Sequence, residues 1–199
     1  MDSKYIYIVW SKTGTLFSNV ISTLTHKEYS HVSISLDNSF TKMFSFGRLD
    51  PEKVLPAGFV NESLYEGVFA MFPQSRCLVY KLAVTDEQLQ SLISEIEVFK
   101  TKKDYLKYSI LGTATAYVNK PIKRENYYFC SQFVAEVLIK SGIYKTDKPA
   151  EIIKPMDLLD IDNLEFYYEG LISEENYAAN YYGFLKYQKV TNRILKYIR

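Results

Sequence analysis

Four side chains in this 199-residue sequence are candidates for nucleophilic or metal chemistry: Cys77, Cys130, His26 and His31. A zinc site built only from Cys and His would need all four, and their spacing matches no zinc motif. Neither cysteine belongs to a Cys-x-x-Cys pair, and two cysteines are too few for a disulfide scaffold. The chemistry that remains is a cysteine nucleophile activated by a histidine base, which requires the two side chains to meet in the fold.

Cys130 is the better placed of the two cysteines to act as a nucleophile. It lies near the start of segment 129–142, FCSQFVAEVLIKSG, whose apolar residues recur at helical spacing and whose final glycine suits a helix end. The predicted helix begins at Cys130, where unpaired backbone N–H groups and the positive end of the helix dipole favour a thiolate. The alternative is that Cys130 is a small apolar residue packed at a helix end.

The pattern around His31 predicts a strand with one polar face. In segment 31–36 the apolar residues alternate with His31, Ser33 and Ser35, so the imidazole is expected to leave the core on the polar side. His26 lies among polar residues and is expected to be a solvated surface histidine. Cys77 alternates with apolar residues in a predicted strand and is expected to be a structural thiol. One cysteine and one histidine therefore remain as a candidate pair.

The elements that must position this pair indicate an α+β fold. Strands are predicted over 4–10, 76–84 and 164–169, and a hairpin over 31–46 with its turn at 37–39. Residues 47–75 are rich in glycine and proline and are predicted to be mainly loop. Helices are predicted over 16–24, 105–118 and 127–142, in the tail from 176, and after Thr85, where Thr85 and Gln88 form a capping-box pattern.

Composition limits the classes of protein to which the chain can belong. The 24 Lys and Arg balance 23 Asp and Glu, and this argues against a surface devoted to nucleic acid. No signal peptide or membrane-spanning stretch is recognised, so a cytoplasmic protein with both cysteines reduced is expected. A single domain over 1–199 is predicted, with 176–199 as a basic helical extension. Residues 186–199 either contact a membrane surface weakly or pack on the domain.

Two short motifs, SHVSI at 30–34 and FCSQFV at 129–134, resemble the circularly permuted, NlpC-type branch of the papain-like cysteine hydrolases. That branch includes YiiX-like bacterial proteins and the lecithin:retinol acyltransferase group, and the order of elements agrees from about residue 5 to residue 170. The resemblance implies a half-barrel of antiparallel strands packed against the cysteine-bearing helix. It also implies that Cys130 is the nucleophile and His31 the general base, with no cofactor and no metal.

The resemblance further implies a third residue that orients the imidazole from the strand after the histidine. The turn at 37–39 would pair His31 with Ser45 or Phe46, which makes Ser45 the predicted third residue, although the family more often has His, Asn, Gln or Glu there. A backbone carbonyl is one alternative, and Glu62 and Glu66 are others. The expected activity is hydrolysis of a peptide or amide through an acyl-enzyme. An acyltransferase or thioesterase acting on lipid or ester substrates, and a non-catalytic binding module, are the alternatives.

Overall fold

The computed structural model describes residues 4–13, 29–72 and 74–173. The predicted helix over 16–24, His26, and the tail from 176 lie outside the described residues. The eight strands of the described part are β1 (Lys4–Lys12), β2 (His31–Ser35), β3 (Met43–Arg48), β4 (Ala57–Glu62), β5 (Arg76–Val84), β6 (Lys107–Tyr108), β7 (Tyr127–Tyr128) and β8 (Glu165–Leu171). The α-helices are α1 (Gly67–Met71), α2 (Asp86–Thr101), α3 (Ile110–Tyr117) and α4 (Cys130–Lys140). Short 3₁₀ turns cover Lys103–Tyr105, Ala150–Ile152 and Pro155–Asp160.

Six strands form one antiparallel sheet in the order β4-β3-β2-β1-β5-β8. Alternation along the strands gives the sheet two apolar faces. One face packs against α2 and α4 and includes Ile8, Trp10 and Val32, whereas the other includes Val9 and Cys77. The predicted α+β class is confirmed, and the strands predicted at 4–10, 76–84 and 164–169 are present.

Helix α4 begins at Cys130, as the sequence predicts, and its apolar stripe is fully buried against the sheet. Two buried hydrogen bonds hold its start in place. Ser131 Oγ donates to the Ile153 carbonyl at 2.7 Å, and Trp10 Nε1 donates to the Pro155 carbonyl at 2.6 Å. Because both carbonyls belong to the segment that follows α4, that segment ties the helix to β1 at the centre of the sheet.

The predicted helix over 105–118 is shorter in the structure and begins at Ile110. Ser109 takes the cap position and accepts a hydrogen bond from the Gly112 N–H, so the helix cannot extend further back. The residues before it form β6, which pairs in parallel with β7 just ahead of Cys130. This short pairing brings Tyr108 to the start of α4, although the two segments are far apart in the chain.

The prediction that residues 47–75 are mainly loop is wrong in one respect that matters for the site. Strand β4 lies within that range and pairs with β3 over six residues, so that Gly47 faces Gly58. Helix α2, in contrast, has the predicted capping box between Thr85 and Gln88. Among the described residues, no helix has the length and apolar character needed to cross a membrane.

Candidate active site

Cys130 is the first residue of α4, and its side chain is buried, with only 4% of the residue exposed. Phe129 precedes it in an extended conformation, and no described side chain caps the helix. The backbone N–H groups of the first turn therefore point out of the helix end without a capping oxygen. The Cys130 side chain lies close enough to the His31 ring and to the Tyr108 hydroxyl to raise the pKa of both groups.

His31, the first residue of β2, contacts the carboxylate of Glu62 at the end of β4. Its Nε2 lies 3.0 Å from each oxygen of Glu62. Ser33 Oγ donates a hydrogen bond of 2.6 Å to Glu62 Oε2, which fixes the carboxylate from the neighbouring position on the strand. Since Glu62 occupies Nε2, Nδ1 is the ring nitrogen left for the thiol. His31 thus interacts with both Cys130 and Glu62, and we call these three side chains the Cys-His-Glu line.

The electrostatics of this line favour a charged imidazole. Burial lowers the pKa of His31, but the Glu62 charge, the interaction with Cys130 and the hydrogen bond that His31 donates to Glu62 overcome it and raise the pKa well above 6.5. Burial raises the pKa of Glu62, and the His31 charge with hydrogen bonds from His31 and Ser33 reverses this to a net lowering. The side chains of His31 and Glu62 are 22% and 16% exposed, so water screens their attraction only partly.

Ser45, the predicted third residue, does not contact the imidazole, and that prediction is wrong. Its Oγ donates a buried hydrogen bond of 2.7 Å to the Val32 carbonyl. The register of β2 and β3, with Ile34 opposite Phe44, places Gly47 and not Ser45 or Phe46 opposite His31. The loop between these strands is longer than the predicted three-residue turn, because Phe40 is buried with a left-handed φ of 51°. The register therefore shifts.

The third position is filled by Glu62, one of the alternatives that the sequence left open. Gly47 makes this possible, because a Cβ at that position would lie 3.0 Å from Glu62 Oε1 and 3.6 Å from His31 Cε1. The other alternative, Glu66, is exposed and precedes α1.

Tyr108 is a site residue that sequence reasoning missed. Burial and the neighbouring Cys130 raise the pKa of its hydroxyl, so the group stays protonated. Thr113 Oγ1 lies 3.4 Å from the Tyr108 oxygen and also donates a hydrogen bond of 3.0 Å to the Ser109 carbonyl. The parallel pairing of two-residue strands that delivers Tyr108 leaves no periodic signal in the sequence.

Three spaces in the described part of the structure adjoin the Cys-His-Glu line, and one of them is a cleft of about 890 Å³ that Glu62 lines together with Asn61 and Lys100. A cavity of about 110 Å³ opens beside His31 and Glu62, and a recess of about 10 Å³ lies beside Cys130. Ser30 and Tyr108 line both, so the reactive groups stand between them. The recess is about the size of one water molecule, whereas the cavity can hold part of a substrate.

The sequence matches no protein-family profile, and no curated protein is significantly similar to it. A solved structure does match: the metalloprotein YiiX from Escherichia coli O157:H7. The superposition has a TM-score of 0.54 at 14% identity, and covers 86% of this chain and 99% of YiiX. The chain has the YiiX fold. At this identity the similarity describes the fold alone.

The donor set does not fit a metal centre. Within residues 4–13, 29–72 and 74–173, no three His, Cys, Asp or Glu side chains are grouped as ligands for an ion. The lone pairs of Glu62 are directed at His31 and Ser33.

Proposed function

We propose that this protein is a cysteine hydrolase of amide or ester bonds that works through an acyl-enzyme. The observation that carries the proposal is a His31 imidazole held 3.0 Å from the Glu62 carboxylate and close enough to Cys130, at the start of a helix, for the thiol to raise its pKa. A thiol, an imidazole and a carboxylate in this order form the standard arrangement for an activated cysteine nucleophile.

In the proposed reaction, His31 takes the thiol proton and the Cys130 sulfur attacks the carbonyl carbon of the substrate. The bond between that carbon and the leaving nitrogen or oxygen breaks, and His31 returns the proton to the leaving atom. Water, activated by His31, then hydrolyses the thioester and restores the thiol. Glu62 holds the ring in one orientation and stabilises its positive charge during both halves.

The recess beside Cys130 suits the negative oxygen of the tetrahedral intermediate. Its size matches a single oxygen atom, and two residues that line it can supply donors: Cys130 through its backbone N–H at the helix start, and Tyr108 through its hydroxyl. Preorganised donors of this kind stabilise charge that develops only in the transition state. Lys154 also lines the recess and adds positive charge.

The permuted papain-like assignment belongs to this proposal. It is supported by the order of the site residues, with the histidine strand ahead of the cysteine helix, and by the antiparallel sheet against which that helix packs. The metalloprotein description applies to YiiX, and we assign no metal to this chain because its described donors do not form a ligand set.

The test is the rate at which iodoacetamide alkylates Cys130 as a function of pH, with the labelled residue mapped by mass spectrometry. We expect rapid labelling at about pH 7 and a marked slowing in His31→Ala, because an imidazolium ion next to a sulfur stabilises its thiolate. Cys77 is an internal control, since it is fully buried on the opposite apolar face of the sheet. A labelling rate that does not change in His31→Ala would refute the proposal.

The same experiment separates the hydrolase from a binding module that retains only the fold. A binding module has no use for an activated thiol, so its Cys130 would react at the same slow rate with and without His31. Hydrolysis is then measured with panels of amides, peptides and esters, with Cys130→Ser as the inactive control. Preference for thioesters over amides and esters would favour the thioesterase alternative, and transfer of the acyl group to an added alcohol in place of water would favour the acyltransferase.

A further inference from the structure

The cavity beside His31 differs from the rest of the site in its chemistry. Among the described residues, its polar lining comes from Ser11, Thr13, Ser30, Arg48 and Tyr108 together with His31 and Glu62. Its apolar lining includes aliphatic and aromatic side chains from the segment before β4, from α1 and from the first turn of α3: Val54, Leu55, Val68, Phe69 and Ile110. A ligand that covers these apolar side chains must itself present an apolar group to them.

Several of these apolar side chains are open to solvent. Leu55 is 57% exposed and Ile110 is 55% exposed, and they come from segments separated by more than fifty residues. Apolar surface converging on one cavity from distant segments is typical of a ligand site, because covering it releases free energy in proportion to the area removed from water.

The position of the cavity relative to the three reactive side chains determines which part of a substrate it holds. His31 lines the cavity, whereas Cys130 lines only the small recess. The imidazole must lie within hydrogen-bonding distance of the atom that it protonates, which is the leaving nitrogen or oxygen. A substituent on that atom continues away from the sulfur, on the side of the imidazole, and so enters the cavity.

We propose that the cavity beside His31 binds an aliphatic group carried on the leaving nitrogen or oxygen, so that the substrate is an amide or ester of an apolar amine or alcohol. Ile110 and Leu55 are the residues that select this group. The inference rests on the proposed function, since only the proposed reaction defines a leaving group.

Two isomeric amides test this assignment without requiring turnover. N-butylacetamide carries its apolar chain on nitrogen, whereas hexanamide carries a chain of similar size on the carbonyl carbon. The readout is the proton NMR resonance of His31 Cε1–H in the full-length chain. The sequence contains two histidines, so the His26→Gln variant leaves one ring and assigns the signal.

We expect N-butylacetamide to shift the His31 resonance with a lower Kd than hexanamide. Across a series of N-alkyl acetamides the Kd should fall by about fourfold per added methylene until the apolar lining is covered. Equal affinity for the two isomers, or tighter binding of hexanamide, would overturn the assignment to the leaving group. The absence of any shift with either amide would overturn the cavity as a ligand site.

Neighbouring residues on α3 provide a matched pair of variants. Ile110 and Leu111 are 55% and 50% exposed, but only Ile110 lines the cavity. Ile110→Gln should weaken N-butylacetamide binding by about fourfold or more, whereas Leu111→Gln should leave it unchanged. Leu55→Gln, on the other wall, should reproduce the loss. If Leu111→Gln weakens binding as much as Ile110→Gln, the cavity wall is not the binding surface and the inference fails.

The assignment of the cavity and the proposed hydrolase can be refuted separately by these measurements. Selective binding of the N-alkyl amide, combined with a thiol that reacts at the same rate without His31, would retain the binding site and remove the hydrolase. A His31-dependent thiol without selective binding would retain the hydrolase and remove the assignment of the leaving group.

Discussion

Glu62→Gln separates the charge of the third residue from its shape. The side chain keeps its size, and the amide can preserve both contacts: its oxygen accepts from His31 Nε2–H and its NH₂ donates to Ser33 Oγ. The positions of the atoms that now lie 3.0 Å and 2.6 Å apart are therefore retained. The variant loses the negative charge opposite the imidazole. Because the Glu62 charge then no longer opposes the effect of burial, the pKa of His31 falls.

The expected magnitude follows from the kind of hydrogen bond that is lost. A hydrogen bond to a charged partner contributes about 1–2 kcal/mol more than a neutral one, and both side chains are largely buried. We therefore expect kcat/KM, and the alkylation rate of Cys130 at about pH 7, to fall roughly 5- to 30-fold. Glu66→Gln is the matched control, since it removes the same charge from an exposed position nearby and should change neither rate.

The pH dependence of stability gives a second readout of the same variant. The raised pKa of His31 contributes stability that is complete below 6.5 and is lost as pH rises through its folded value. The lowered pKa of Glu62 contributes stability that is complete above 4.5 and is lost as pH falls through its folded value. The wild-type protein should therefore exceed Glu62→Gln in free energy of unfolding most clearly between pH 4.5 and 6.5. Equal rates and parallel stability profiles for the two proteins would refute the role assigned to Glu62.

Three other substitutions test the surroundings of the site. Gly47→Ala should displace the Glu62 carboxylate by a few tenths of an ångström. Because a misplacement of about 1 Å costs roughly a hundredfold in rate, we expect kcat/KM to fall by about tenfold or less. An unchanged kcat/KM would show that the close approach of Gly47 to Glu62 does not matter for the reaction. Trp10→Phe leaves the Pro155 carbonyl without the donor that now lies 2.6 Å away. We expect the free energy of unfolding, measured by urea denaturation, to fall by about 1–3 kcal/mol. A smaller loss would show that this hydrogen bond does not stabilise the start of α4. Thr85→Ala removes the capping box of α2 and should lower the free energy of unfolding by about 1 kcal/mol in the same assay. The alkylation rate of Cys130 should stay constant. Slower alkylation of Cys130 would mean that α2 positions the site.

The parts of the site that the sequence predicts are those governed by local periodicity. The helical spacing after Cys130 predicts where α4 begins. The alternation after His31 predicts which side of β2 carries the ring, but the expectation that this side leaves the core is wrong, because Ser33 and Ser35 are buried. Local periodicity does not predict the role of Glu62. The glycines near it, Gly47 and Gly58, indicate a loop, whereas the structure needs them because other parts of the chain approach closely at these positions. Gly58 lies across the ladder from Gly47, and a Cβ on it would lie 2.7 Å from the Leu106 carbonyl. The pattern that suggested a loop thus reflects close approach of the backbone in a strand.

The two-residue pairing of β6 with β7 has a consequence for how this protein can be changed. The Ser109 N–H donates to the Tyr128 carbonyl at 2.7 Å and the Lys107 N–H to the Asn126 carbonyl at 2.8 Å. The intervening segment, which contains α3 and Ile110, therefore leaves and rejoins the scaffold at one closed junction next to Cys130. Such a segment can be lengthened at little entropic cost, about 0.6 kcal/mol for each doubling of its length. The segment can therefore be replaced by another sequence to change the cavity wall that Ile110 forms. Cys130, His31 and Glu62 would keep their places on the helix and the sheet.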